Sequence, residues 1–344
     1  MKTILHRLTL LMAASFMFTV TVGDRPSNST AWATPAPEAE QNQPVAESES
    51  QIRVLPLDEL YLLGLLPQPE AIIPEALEAQ GLSIHPQDTR GIIDVDDRLE
   101  LTSRRYPWSA IGRIIIADSD GFVMGHCSGT LVAPRTVLTN AHCVINPSTG
   151  KLYPALQFQP NVINNAVLDL ADVANVEAVW SGTDFTENNS PPNAGDWAFM
   201  LLDQPLGDRY GTIPWMPLSV DELMENYAEQ LVMVGYSGDY PRDRPVSSAG
   251  VHLGCSVVGT YEGSIAHDCD TFGGSSGGPI LTWIDDQAYI VGLNSAEETT
   301  NTVVDTFINS SGVERPVYEG VINFGVDITR IVEFVGQNGL GGDR

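Results

Sequence analysis

Ten consecutive residues, Asp270-Thr271-Phe272-Gly273-Gly274-Ser275-Ser276-Gly277-Gly278-Pro279, constrain this chain most, because four glycines and two serines stand directly before the apolar run Ile280-Leu281-Thr282-Trp283. Glycine permits φ > 0 and puts no side chain in the way. The backbone can therefore curl its N–H groups towards one point while Ser276 projects a hydroxyl beside them. That is the geometry an acyl-transfer nucleophile needs, set at the mouth of an apolar strand. The 31 glycines and 23 prolines of the whole chain favour many short strands and turns over long helices. A plain Gly/Ser turn has the same local composition, so the chemical reading requires a base and an acid elsewhere.

A hydroxyl is a weak nucleophile until an imidazole takes its proton, and the imidazole needs a carboxylate to hold its tautomer. Thr139-Asn140-Ala141-His142-Cys143 follows the strand-like run Gly129-Thr130-Leu131-Val132-Ala133, and Gly195-Asp196 opens the apolar run Trp197-Ala198-Phe199-Met200-Leu201-Leu202. The segments TNAHC, DWAFMLL and GSSGGP, in the order His, Asp, Ser, resemble the trypsin-like serine protease family. Tyr106-Pro107-Trp108 and Gly235-Tyr236-Ser237-Gly238-Asp239 are similar to its bacterial glutamyl-endopeptidase-like (V8-like) branch. The resemblance covers about residues 92 to 336. It implies an all-β fold of two six-stranded antiparallel, chymotrypsin-like barrels with a C-terminal helix. The first barrel is expected at about 100–207, opening at Ile111, and the second at about 230–327, opening at Leu231. Apolar residues at helical spacing from Ile328 to Val335 place the helix at about 328–336.

The resemblance also implies roles. His142 would be general base and then general acid, Asp196 would orient it, and Ser276 would be the nucleophile, with the amides of Gly274 and Ser276 as the oxyanion hole. Ser295 would add a hydrogen bond to Asp196, or be a plain strand serine. A disulfide between Cys127 and Cys143 is implied. Four cysteines allow three connectivities, and joining Cys255 to Cys269 as well keeps each bridge within one barrel. Ser275 departs from the digestive branch, where an Asp receives the α-amino group freed by activation. Uncharged Ser275 cannot do so, and any activation by cleavage must uncover the cleft or place the new terminus elsewhere. In the substrate pocket Thr271 falls where the glutamyl branch has a hydroxyl, but Asn294 falls where that branch has a His. A neutral amide cannot supply the positive charge that offsets burial of a carboxylate. A polar pocket of Thr271, Asn294 and Ser295 without strict glutamyl specificity is expected, and Asp270, where trypsin carries its acid, is a second candidate to select Arg or Lys.

Upstream, Met1-Lys2 and His6-Arg7 precede the apolar run Leu8 to Val22, which is short for a membrane span. Residues 1–33 read as a secretory signal peptide ending at Ala31-Trp32-Ala33, with an uncleaved anchor as the alternative. Residues 34–90 are acidic and Pro-rich and read as a pro-segment or a spacer, with a processing point at Arg90-Gly91-Ile92-Ile93 before a protease domain at 91–344. A net charge of −27 with only 17 Lys and Arg argues against a nucleic-acid or anionic-membrane partner. No His/Cys cluster has zinc-ligand spacing and no cofactor is expected, while structural calcium on surface carboxylates stays open. The chain thus reads as a secreted or periplasmic, monomeric serine endopeptidase acting on polypeptides. The alternative is a catalytically silent binding protein on the same barrels. An α/β-hydrolase would place its His last along the chain, not first.

Overall fold

The computed structural model describes residues 53–54, 93, 96–187, 190–308 and 312–339. The expected signal peptide, almost all of the 34–90 segment and the bond after Arg90 lie outside the described residues. No helix among the described residues is long and apolar enough to cross a membrane.

Alternating apolar residues build the first half. After β1 (Arg53–Val54) and β2 (Arg98–Glu100), β3 (Ile111–Ala117) buries Ile111, Ile114 and Ile116 and turns Arg113 and Ile115 outward, the two-residue period of a half-buried strand. Next along the chain are β4 (Val123–Ala133), β5 (Thr136–Thr139), the short β6 (Ile145–Asn146) and β7 (Lys151–Leu152), β8 (Ala155–Pro160), β9 (Ala174–Ser181) and β10 (Ala198–Leu202). The order β9-β10-β5-β4-β3-β8 closes on itself, since β8 pairs back onto β9 through Gln157 with Asn175 and Phe158 with Ala174. Closure into a barrel removes unpaired strand edges. β1 adds to β9 in parallel, Arg53 opposite Ala178.

The second half comprises β11 (Leu231–Gly235), β12 (Gly250–Cys255), β13 (Val257–Tyr261), β14 (Ser264–His267), β15 (Pro279–Ile284), β16 (Gln287–Ile308) and β17 (Glu314–Asp327). They pair in the order β13-β14-β17-β16-β15-β11-β12 with β2 outside β12. Only Ser256 separates β12 from β13, so these are one bent strand and the row returns through the chain to its start. The fold is therefore the expected all-β pair of six-stranded antiparallel barrels. Two details differ. Residues near 100, expected to begin the first barrel, belong to the second sheet, where Leu99 lies opposite Val251. The strands expected at Ala288 to Ser295 and Ile322 to Val326 are parts of a much longer ribbon, because the polar run Glu297 to Thr300 carries no apolar alternation by which to mark a strand.

The C-terminal helix, Ile328–Gly339, extends past the expected 336 and buries Ile328, Ile331 and Val335. Its Phe334 ring lies 5.3 Å from Trp180 and 5.5 Å from Trp197, so the helix that ends the second barrel packs beside Asp196 in the first. Behind the second barrel, Arg98 is buried with bonds from Nε to Asp96 at 2.8 Å and from Nη1 and Nη2 to Asp239 at 2.9 and 2.8 Å. Burial opposes its charge, but Asp239 and Asp96 outweigh burial and raise its pKa. Removing one partner from such a buried pair costs about 3–5 kcal/mol.

Candidate active site

His142 sits in a single turn, Ala141–Cys143, that comes after β5 and is tied to β4 by the Cys127–Cys143 disulfide. Its backbone N–H donates to Asp196 Oδ1 at 2.9 Å and its Nδ1 lies 2.7 Å from Asp196 Oδ2. Ser295 Oγ donates to the same Oδ2 at 2.7 Å, and Asn140 Nδ2 holds the Asp196 carbonyl at 2.6 Å. With Nδ1 donating to the carboxylate, Nε2 is left as a proton acceptor. Burial alone would lower the His142 pKa. The Asp196 charge and hydrogen bond more than offset it, and the pKa is raised from 6.5. Burial likewise pushes Asp196 up, but the imidazole and the bonds from Ser295 and the His142 amide hold it below the usual carboxylate value.

Ser276 stands in the glycine loop before β15. Gly274 and Gly277 have φ of 101° and 79°, and a Cβ at 274 would collide with the ring of His126. The loop is pinned to β4: Ser128 N donates to Ser276 O at 2.8 Å and Ser128 Oγ to Gly274 O at 3.1 Å. His126 Nε2 lies 2.9 Å from Tyr236 O, and burial, reinforced by Arg113, pushes its pKa down to about 4. The amides of Ser275 and Gly277 donate to Phe272 O and Asn294 O, whereas those of Gly274 and Ser276 have no protein acceptor among the described residues. Ser276 Oγ lies 3.5 Å from Ser295 O and is not hydrogen-bonded to His142, although both side chains line one cavity of about 290 Å³.

Thr271, Ser275, Asn294 and Ser295 also line that cavity. Asn294 Nδ2 donates to Thr271 Oγ1 at 3.0 Å and Ser275 Oγ at 3.1 Å, the two hydroxyls touch, and Ser275 Oγ donates to Phe272 O at 2.6 Å. Asp270 does not belong here. Its carboxylate accepts the amides of Ile93 at 3.1 Å and Asp97 at 2.9 Å and lies beside His252, so its place in the pocket is corrected to an anchor for the segment leading into β2. Cys255 and Cys269 form the second disulfide. Three groups of His, Cys, Asp or Glu lie close enough to share a cation among the described residues, but two contain these disulfide sulfurs. The third, Asp97, His252 and Asp270, is built on the Asp270 that already accepts two amides.

Sequence reasoning missed Ser128 and Glu297. Ser128 stands directly after Cys127, which offered a signal; Glu297 in a polar run offered none. The arrangement can hold a hydroxyl, a base with a free acceptor nitrogen and an orienting carboxylate around one cavity. A trypsin-like peptidase domain model matches residues 127–309. A glutamyl endopeptidase of Bacillus licheniformis is 24% identical over 258 residues, which span 73% of this chain and 74% of the relative. A solved Glu endopeptidase structure in complex with MPD superposes with a TM-score of 0.55 at 23% identity, covering 72% of this chain and 99% of the other.

Proposed function

This chain belongs to the trypsin-like peptidase family and is a serine endopeptidase, and we propose that it is secreted and cleaves polypeptides through an acyl-enzyme on Ser276. His142 takes the Ser276 proton and returns it to the leaving amine, Asp196 holds the imidazole tautomer, and Ser295 steadies Asp196. The amides of Gly274 and Ser276 bind the developing oxyanion. Thr271, Asn294 and Ser295 form a polar substrate pocket. The observation that carries this reading is the two-point contact of Asp196 with His142, through ring and backbone, at a cavity shared with Ser276. The active domain is residues 91–344, a monomer that needs no cofactor for the chemistry.

The test is hydrolysis of a denatured protein by the purified exported chain, with and without a fluorophosphonate probe. Cleavage that the probe abolishes is expected. A folded, exported chain that neither cleaves nor takes the probe would favour a silent binding protein, the reading that the Ser276 hydroxyl's turn towards Ser295 O supports.

A further inference from the structure

Among the described residues the cavity beside Ser276 has no lysine or arginine in its lining, and its ionisable groups are His142, Asp196 and Glu297. The first two are committed to each other. The Asn294 amide nitrogen is spent on Thr271 and Ser275, so a carboxylate entering here would lose its water and meet neither a cation nor that donor. Glu297 stands apart. It lies on β16 beyond Ser295, lines the cavity and is exposed, and among the described residues its carboxylate makes no hydrogen bond or ion pair. The charge around it has its own sign, since the neighbouring buried cluster sets Asp96 and Asp239 against Arg98 alone. A cation from outside would relieve that burden.

Resting on the peptidase reading, we propose that Glu297 is the specificity determinant of this cavity and selects a cationic side chain, Arg or Lys, immediately before the scissile bond. An Arg guanidinium offers paired donors that fit a carboxylate and Lys a point charge, so Arg is the better substrate. Asp270 cannot play this part, because both its oxygens face the amides of Ile93 and Asp97.

The experiment uses the full chain, exported and processed by its host, with peptides that differ only in the residue before the cut: Arg, Lys, Gln, Leu or Glu. Glu297→Gln and Glu297→Lys are assayed beside it, with rates referred to probe-labelled sites so that misfolding lowers the count and not the ratio. The native chain should favour Arg and Lys over Gln by about ten- to hundredfold in kcat/KM, the span of one hydrogen bond to a charged group. Glu297→Gln should lose that ratio and Glu297→Lys should turn it towards Glu. A native preference for Glu, or an Arg preference that survives in Glu297→Gln, overturns the proposal and leaves the peptidase reading standing. Neither cleavage nor labelling in the native chain overturns both.

Discussion

At the scale of single residues the proposed chemistry rests on how Asp196 sets His142. In that mechanism catalysis needs the neutral imidazole, so kcat/KM should rise with pH through the His142 pKa, which Asp196 holds above 6.5. In Asp196→Asn the opposing pull of burial is no longer countered. The acid limb of the pH profile should then move below 6.5, while the plateau falls by about 10⁴ because the amide holds the wrong tautomer. A limb that stays in place would show that Asp196 does not set the pKa. The proposed site residues His142, Asp196 and Ser276 could be picked out in the sequence because each sits in a short motif whose neighbours do local work: a glycine that must have φ > 0, a cysteine that fixes a turn, a strand that begins two residues past the acid. Asp270 and Glu297 were not legible. Asp270 sits where family register suggests a pocket acid, yet its partners Ile93 and Asp97 come from a segment far away in sequence. Glu297 becomes a wall residue only once β16 has folded beside the cavity.

Among the elements, the barrel strands arise from apolar alternation, and the long β16–β17 ribbon does not, since its outer part is polar and its pairing shifts register repeatedly after Asn294. The segment at residues 93–100 shows how an extended stretch becomes fixed. Asp270 takes the amides of Ile93 and Asp97, Arg98 locks onto Asp96 and Asp239, and β2 joins β12. This anchoring starts just after Arg90, where the sequence predicts processing. Exposed, loosely packed stretches are where proteases cut, and a buried carboxylate holding two amides protects the chain from Ile93 onward. The exported protein should therefore begin near Gly91 or Ile92, which N-terminal sequencing with intact mass will check. A fully active form that begins near Thr34 would make the upstream segment a spacer.

For the whole molecule, burial ties stability to pH. His126 is half-buried and His267 buried, both with pKa values pushed down to about 4, so they stay neutral in the folded chain while the unfolded chain protonates them near 6.5. The unfolded state thus binds more protons between these values, and stability should fall as pH drops through that window, on the order of 3 kcal/mol per histidine. Urea unfolding from pH 7 to 4 measures this, and His126→Asn should remove about half of the slope; an unchanged slope would remove His126 from the account. The proposed catalytic centre is also a property of the whole molecule, because His142 and Asp196 belong to the first barrel and Ser276 to the second. Both serines line the cavity, but Ser275 is 1% exposed and bonded to Phe272 O, whereas Ser276 is only half-buried. The most direct measurement is therefore fluorophosphonate labelling of the native chain, Ser276→Ala and Ser275→Ala, with the adduct located by mass. The native chain and Ser275→Ala should carry the adduct on Ser276, and folded Ser276→Ala should carry none. Labelling that persists in Ser276→Ala and vanishes in Ser275→Ala would contradict the assignment.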